Sequence, residues 1–451
     1  MKTVCHEQLS FASLKSKSVV ASFDGGTITS DAGSLVLREI DSRTGIIAAI
    51  NDSIADPRQP FKIRHAQAEM IGQRVFAIAQ GYEDVNDHQS LRSDPVLKVC
   101  VGRSPGDTDL ASQPTLCRLE NRVGHSSLRR LSEALFSAYL KAHPGQRDLI
   151  VLDVDSTDDE THGHQQMSFF HGYYDQHMYH PLLVFDGLSG FPIAAVLRPG
   201  NAHASRGAVG ILKRIITRLL NAYPEATILV RADAGFAIPA IYELFEAFDK
   251  KHGNVKYVIG LITNDRLRER VSTLSAKTTA SFNSTGEKQR NLTSFRHKAN
   301  SWTKSRRVVA KVEHLEKGLN TRFVVTNLNH DPAVQIYDGI YTGRGDVENR
   351  IKELKNHLKA DRLSCSGFLA NQFRFLLHTF AYTLLWHLRE NLKNTDLATA
   401  SMETIRLKLL KIGARVKESV RRVVFSMPTG FPYKNILAAA LDNIRLMPLR
   451  A

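Results

Sequence analysis

Cysteine, uninterrupted apolar runs and low-complexity tracts are all scarce in this 451-residue chain. The four cysteines, Cys5, Cys100, Cys117 and Cys365, are too few for a disulfide scaffold and too far apart for a zinc-ligand pattern. The opening MKTVCHEQLSFASLKSKS has no apolar core of the kind a signal peptide needs. The most apolar helix candidate, Phe373 to Leu388, is interrupted by Arg374, His378 and His387, which argues against a membrane span. A reduced, cytoplasmic protein with no membrane partner is therefore expected. Acidic residues are also short, 45 Asp+Glu against 60 Lys+Arg, a net charge of +15 and a pI of about 9.6. With 43% hydrophobic residues the chain is ordinary for a globular protein, and wholesale disorder is excluded. Its length predicts two or three domains, or one large α/β domain with insertions.

The basic excess implies a polyanionic partner: nucleic acid, anionic lipid or a phosphate-rich substrate. It is concentrated in two places. Residues 266–322 hold 14 Lys+Arg and 4 Asp+Glu, a surplus of 10. Residues 401–451 hold 10 and 3, a surplus of 7, which leaves the rest of the chain at −2. Charge spread only for solubility would not gather so. Blocks of this kind suit the neutralisation of backbone phosphates, with Arg306 and Arg307 as candidate contacts; two solvated basic faces are the plainer alternative.

Residues 1–147 read as mostly helical, with two short strands around Asp24-Gly25-Gly26 and a helix from about 30 capped by Ser30 or Asp31. The period changes at Asp148. Residues 149–155 (LIVLDVD) form a buried strand candidate, and 178–187 and 191–199 an antiparallel hairpin. A helix over 205–221, a strand over 227–232, a helix over 239–251 and a strand over 255–262 follow. Strand, strand, strand, helix, strand, helix, strand is the order of an RNase H-like sheet. The expected fold class is thus α/β: an RNase H-like core, first part 148–265 and second part 331–395, interrupted by a basic β-rich insertion at 266–330. A mainly helical N-terminal region precedes it, and a basic, helical C-terminal region at 396–451 follows. Residues 414–426 fit a strand or a helix equally.

Three acidic residues stand where a two-metal site would need them. Asp155 ends the first strand, in Asp153-Val154-Asp155-Ser156-Thr157, and Asp233 ends the fourth, in Arg231-Ala232-Asp233-Ala234-Gly235-Phe236. Glu348 opens a helix after the insertion. An apolar strand ending in a carboxylate places charge at the sheet edge, where a metal can reach it; singly, such a residue is usually a turn former. Mg²⁺ favours carboxylate oxygens, and two such ions can activate an attacking oxygen and stabilise a leaving one. Asp153 shares a strand face with Asp155 and is an alternative first ligand. Tyr341, Arg344, Glu348 and Lys355 fall at the spacing Y-(2)-R-(3)-E-(6)-K. On a helix Arg344, Glu348 and Lys355 share one face, a carboxylate flanked by cations able to grip phosphate.

This segment resembles the signature of bacterial insertion-sequence transposases of the DDE class at all four positions. The Asp-Ser-Thr after the first strand, the R-A-D-A-G-F around Asp233 and the insertion before the Glu agree with it. The resemblance covers roughly 148–395. It implies a Mg²⁺-dependent transposase, Mn²⁺ serving as a substitute, that cuts DNA at its element's terminal repeats and joins it to target DNA. In the family the two Asp and the Glu bind metal, here Asp155, Asp233 and Glu348. The Tyr, Arg and Lys contact DNA near the reacting end, here Tyr341, Arg344 and Lys355. It also implies end recognition by residues 1–147 and at least a homodimer when two ends are paired.

Two other readings compete. Asp153-Val154-Asp155-Ser156-Thr157 also fits D-x-D-x-T, the nucleophile motif of haloacid-dehalogenase-like phosphatases, in which Asp153 would form an aspartyl-phosphate. That motif expects a parallel sheet and a late acidic pair at a strand end, whereas Asp346 and Glu348 fall on a helix. A non-catalytic DNA-binding protein descended from a transposase is the other, and retention of all three carboxylates argues against it. His162, His164, His171, His177 and His180 cluster without a zinc spacing and read as loop or DNA-contact residues. The aromatics of 368–388 read as core; Trp302 reads as a DNA-stacking residue or a core tryptophan.

Overall fold

The computed structural model describes residues 8–448, so Cys5 lies outside the described residues. The chain divides into two compact units. One holds Ser132–Lys355 and Asp361–Phe375; the other holds the residues up to Leu131, Asn356–Ala360 and those from Leu376 on.

The first of these is built on one mixed sheet. Strand β1 (Leu149–Ser156) carries Ile150, Val151, Leu152 and Val154, all buried. A strand so placed inside a sheet covered on both faces reads as an almost continuous apolar run. Strands β2 (Leu182–Asp186) and β3 (Pro192–Val196) form the expected hairpin, β2 antiparallel to β1 with Val184 opposite Val154. Helix α1 (Ala208–Ala222) buries the stripe Leu212, Ile215, Ile216 and Leu219 and leads to β4 (Thr227–Ala232), parallel to β1. Helix α2 (Pro239–His252), with Pro239 at its first turn, leads to β5 (Val255–Leu261), parallel to β4.

The stretch 266–330 differs from expectation in two ways. Its first third is helical, Asp265–Arg270 and then α3 (Ser272–Thr285). The α3 sequence, STLSAKTTASFNST, has too few apolar residues to show a helical stripe. It packs instead on the strands that follow, with the Phe282 ring stacked 4.4 Å from His314. Secondly, β6 (Gln289–His297), β7 (Arg306–Leu315) and β8 (Gly318–Thr326) do not form a sheet of their own. β8 pairs antiparallel with β5, Val258 opposite Thr326, which gives one eight-stranded sheet ordered β6-β7-β8-β5-β4-β1-β2-β3. The free edge of β5 is the cause: Phe323, Val324 and Val325 bury against it, and an unpaired edge is a standing template for another strand.

A helical run follows. Gln335–Tyr341 forms a wide π-type turn, Thr342–Arg344 a tight one, α4 spans Gly345–Lys352, and Glu353–His357 widens again. In helix α5 (Phe368–Glu390), Phe373, Phe375, Phe380, Tyr382 and Trp386 are buried, as core residues.

The other unit is mostly helical near its start, with Leu35–Thr44, Ile46–Asp52, Gln67–Gln80 and Gln113–Asn121. Helix Gln67–Gln80 is buried nearly all round, and Arg74 and Glu120 pair at 2.9 Å with no solvent exposure. Asp31 stands at the N-cap position of the tight turn Ala32–Ser34 that runs into the helix from Leu35, but its side chain makes no capping bond; it receives the Tyr82 hydroxyl at 2.9 Å and Lys411 at 2.6 Å. The C-terminal part is not wholly helical. Ala414–Ser419 and Arg422–Ser426 form a hairpin that adds to Ile28–Thr29, and the helix Lys434–Leu446 follows. No described helix is long and apolar enough to cross a membrane.

Candidate active site

The register of β1 on β4 sets the site. Val154 lies opposite Ala232, so the next residues, Asp155 and Asp233, stand level at adjacent strand ends. Each carboxylate is held by its own turn: Asp155 Oδ1 accepts the Ser156 N–H at 2.8 Å, and Asp233 Oδ1 the Gly235 N–H at 2.9 Å. Asp155 is buried at 8% exposure.

Arg344 joins the third carboxylate to this pair. Its Nη1 donates to Asp155 Oδ2 at 3.1 Å and its Nη2 to Glu348 Oε1 at 2.9 Å. The second bond is the i,i+4 pair of one helical face, while Glu348 itself is exposed. Tyr341 lies beside them with its ring 6.0 Å from the Arg344 guanidinium. Its hydroxyl lies so near Gly260 of β5 that an added Cβ would stand 2.6 Å from it and 2.9 Å from the Ala234 amide. Glycine there is a matter of close approach. Lys355 does not join Arg344 and Glu348. It turns to the loop after β1, where Nζ meets Asp158 at 2.8 Å and Thr157 at 3.2 Å. The wide turn Glu353–His357 takes it off the face that an α-helix would share, as π-type turns do.

Burial and the neighbouring Asp233 charge push the Asp155 carboxyl up to about 7, with Arg344 pulling against them. Burial also raises Asp233, and Glu348 adds to the effect. Burial works against the Arg344 charge, but Asp155, Tyr341 and Glu348 overcome it, so the guanidinium stays protonated. Among the described residues no three His, Cys, Asp or Glu stand close enough to hold an ion as placed. The donor chemistry nonetheless fits a hard divalent cation, which favours carboxylate oxygens: Asp155 and Asp233 stand at adjacent strand ends, and Arg344 links Glu348 to Asp155. Asp155, Asp233 and Glu348 are the residues that would hold it.

Asp153, the alternative first ligand, is engaged elsewhere. It lies opposite Arg231, two residues before Asp155 as Arg231 is two before Asp233. Arg231 Nε and Nη2 grip its two oxygens at 2.6 and 2.7 Å, and Nη1 donates to the Ile340 carbonyl at 3.0 Å. Asp153 is 1% exposed. Burial pushes its carboxyl up and Arg231 pulls it down. This fork ties β1 and β4 to the turn that carries Tyr341 and Arg344. Sequence reasoning missed it, although the equal offsets of Asp153 and Arg231 from the two strand-end carboxylates were visible.

Arg306 is a correction. It was expected on a phosphate, yet it is buried, with Nε and Nη2 on Glu246 at 2.8 and 3.0 Å and its guanidinium over the rings of Tyr242 and Trp302. Trp302 is buried with it and belongs to the core. Arg307 is partly exposed and donates to the Leu328 carbonyl at 2.8 Å and the Ser294 hydroxyl at 3.2 Å. The histidines scatter. His162 is exposed, His177 packs on Phe170, and His171 meets His180 ring to ring. His180 gives Nδ1 to the Ala202 carbonyl at 2.6 Å, and burial pushes it down to about 4.

A family model described as "Transposase DDE domain group 1" matches residues 11–449. No curated protein matches the chain. Among solved structures, it is similar to the piggyBac transposase in a cryo-EM synaptic complex with hairpin DNA. That match has a TM-score of 0.45 and 11% identity, and covers 85% of this chain and 80% of that one.

Proposed function

The chain belongs to the transposase DDE domain group 1 family, and on that premise we propose that it cuts and rejoins DNA at the ends of a mobile element. The sheet ordered β3-β2-β1-β4-β5, with its first three strands antiparallel and the next two parallel, supports an RNase H-like reading of the core. One observation carries the proposal: Arg344 reaches Asp155 and Glu348 together, while the Asp233 charge acts on Asp155 from the adjacent strand end.

On this reading Asp155, Asp233 and Glu348 are the metal-binding triad, with Asp153 set aside because Arg231 engages both its oxygens. Bound Mg²⁺, or Mn²⁺ in its place, would lower the pKa of an attacking hydroxyl and neutralise charge on the leaving oxygen. The chain's own residues do the rest. The buried strand ends hold Asp155 and Asp233 at a fixed separation. Arg344, a planar fork suited to phosphate, positions the DNA strand beside them, and Tyr341 packs against the bound strand from the β5 side. Lys355 supplies positive charge at the loop after β1. Water attacks the phosphodiester at the element end and breaks its P–O3′ bond; the freed 3′-hydroxyl then attacks a target phosphodiester, whose own 3′-oxygen leaves as a hydroxyl. Two ends are brought together by at least two copies of the chain.

The test uses DNA flanking the gene as substrate. Asp155→Asn, Asp233→Asn and Glu348→Gln should each abolish metal-dependent cleavage and retain DNA binding in a gel-shift assay. Cleavage by Asp233→Asn at the wild-type rate sinks the assignment. Release of p-nitrophenol from p-nitrophenyl phosphate would instead favour the aspartyl-phosphate chemistry of Asp153.

A further inference from the structure

A cleft of about 340 Å³ lies at the end of the sheet away from the carboxylates. Its position follows from strand direction. β4 and β5 run parallel toward Asp233, whereas Asn327, just past β8, bonds to Val255, the first residue of β5. Lys250, Arg296, Lys304, Arg307, Asn327 and Asn329 line the cleft, together with Arg306, Glu246 and Asp249.

The acids there are already spent. Glu246 takes Arg306 and Lys304, the latter at 3.1 Å; Asp249 takes Lys256 at 2.8 Å and the Asn327 amide at 3.1 Å. Lys250, Arg296 and Arg307 have no carboxylate partner among the described residues. Arg296 gives one bond to the Ser305 carbonyl at 3.0 Å, and Arg307 gives its bonds to a carbonyl and a hydroxyl. Neutral acceptors leave a guanidinium's charge uncompensated. Its floor includes Arg306, buried over the rings of Tyr242 and Trp302, whose Nη1 has no hydrogen-bond partner among the described residues.

Three uncompensated cations on three separate elements, lining one cleft, match a ligand with charge repeated along its length. We propose that this cleft binds backbone phosphates of duplex DNA, as an anchor remote from the triad. The choice of DNA rests on the transposase reading; the anionic character of the site does not.

The experiment measures binding of the full chain to a fluorescein-labelled duplex by anisotropy across a KCl series, without divalent metal. Wild type is compared with Lys250→Glu/Arg296→Glu and with a control of equal charge change on α1, Lys213→Glu/Arg214→Glu. Loss of two phosphate contacts should make the slope of log K against log salt shallower by about 1.8 in the cleft variant, with the control near wild type. The milder pair Lys250→Gln/Arg296→Gln should move the slope the same way and serves where charge reversal unfolds the chain. A slope equal to wild type in both cleft variants overturns the proposal. So does an equal drop in the control, since the effect would then be one of overall charge. Calorimetric titration with inorganic phosphate provides another arm: binding lost in the cleft variant while the duplex slope stays unchanged assigns a small anion and overturns the DNA anchor. A shallower slope in a chain that cleaves no DNA upholds the cleft and sinks the transposase reading alone.

Discussion

Arg231→Lys tests whether the Asp153–Arg231 fork positions the signature turn. Arginine makes three contacts there, two to Asp153 and one to the Ile340 carbonyl. Lysine keeps the charge but is a point donor, so it retains one contact to Asp153 and loses the bond to Ile340. Losing one charge-assisted hydrogen bond and one to a carbonyl costs about 2–4 kcal/mol of stability. Truncation to alanine would be less informative, because it leaves Asp153 buried and alone at a cost of about 3–5 kcal/mol. The effect on chemistry has a different origin. Ile340 is one residue before Tyr341 and four before Arg344, so freeing its carbonyl lets the turn shift, and a misplacement of about 1 Å can cost about 100-fold in rate. Gly343→Ala perturbs the same contact from the other side, since its Cβ would stand 2.5 Å from Arg231 Nη1. The assay is single-turnover cleavage well below the melting temperature, beside DNA affinity and thermal stability. Both variants should cleave at least tenfold more slowly and bind DNA within about twofold of wild type. Val308→Ala, a core truncation on the face of β7 turned away from the cluster that holds Ile340 and Tyr341, supplies a destabilised control with normal cleavage. If Arg231→Lys cleaves like that control, the fork is only structural.

Two further outcomes follow from the same site. Burial and Asp233 push the Asp155 carboxyl up to about 7 in the folded chain, from 3.8 for a free carboxyl, so the folded chain keeps a proton that the unfolded chain has released. Metal-free stability should therefore fall as the pH rises from about 4 to about 7, by at most about 4 kcal/mol from this group, and Asp155→Asn should flatten the dependence in chemical denaturation; an unchanged pH slope refutes the burial argument. Gly260→Ala, whose Cβ would crowd the Tyr341 hydroxyl and the Ala234 amide, should cost about 1–3 kcal/mol and slow cleavage, whereas a neutral result would mean that Tyr341 does not rest on β5.

The strand-end carboxylates were legible because two kinds of signal coincide. A run such as LIVLDVD is apolar where the sheet buries it and acidic where the strand emerges, so composition marks both the strand and its end. The i,i+4 contact of Arg344 with Glu348 was legible for a similar reason, since it depends only on local helix geometry. What failed was whatever needed a partner distant in sequence or a departure from regular geometry. Lys355 leaves the predicted face because the wide turn Glu353–His357 interrupts the helix, and no residue type announces a π-type turn. The hairpin at 414–426 stayed ambiguous because its exposed positions alternate with too few buried ones to show a period of two.

Charge shows the same limit most sharply. The basic block at 266–322 was expected to face phosphate as a whole, because it contains few acids of its own. Folding supplies acids from outside it. Glu246 takes Arg306 and Lys304, Asp265 takes Arg268, and Asp338 takes Arg290, while Glu313 within the block takes Lys288 and Lys311. A surplus counted along the chain therefore overstates the charge a polyanion would meet, since a cation paired at about 3 Å has most of its field cancelled a Debye length away. The cations left for a ligand are those whose neighbours in space are neutral, such as Arg296 and Arg307. Arg306, adjacent in sequence to Arg307, is neutralised by α2. Two neighbours that line one cleft thus differ in the charge they leave for a ligand, so a phosphate contact in this block has to be assigned residue by residue.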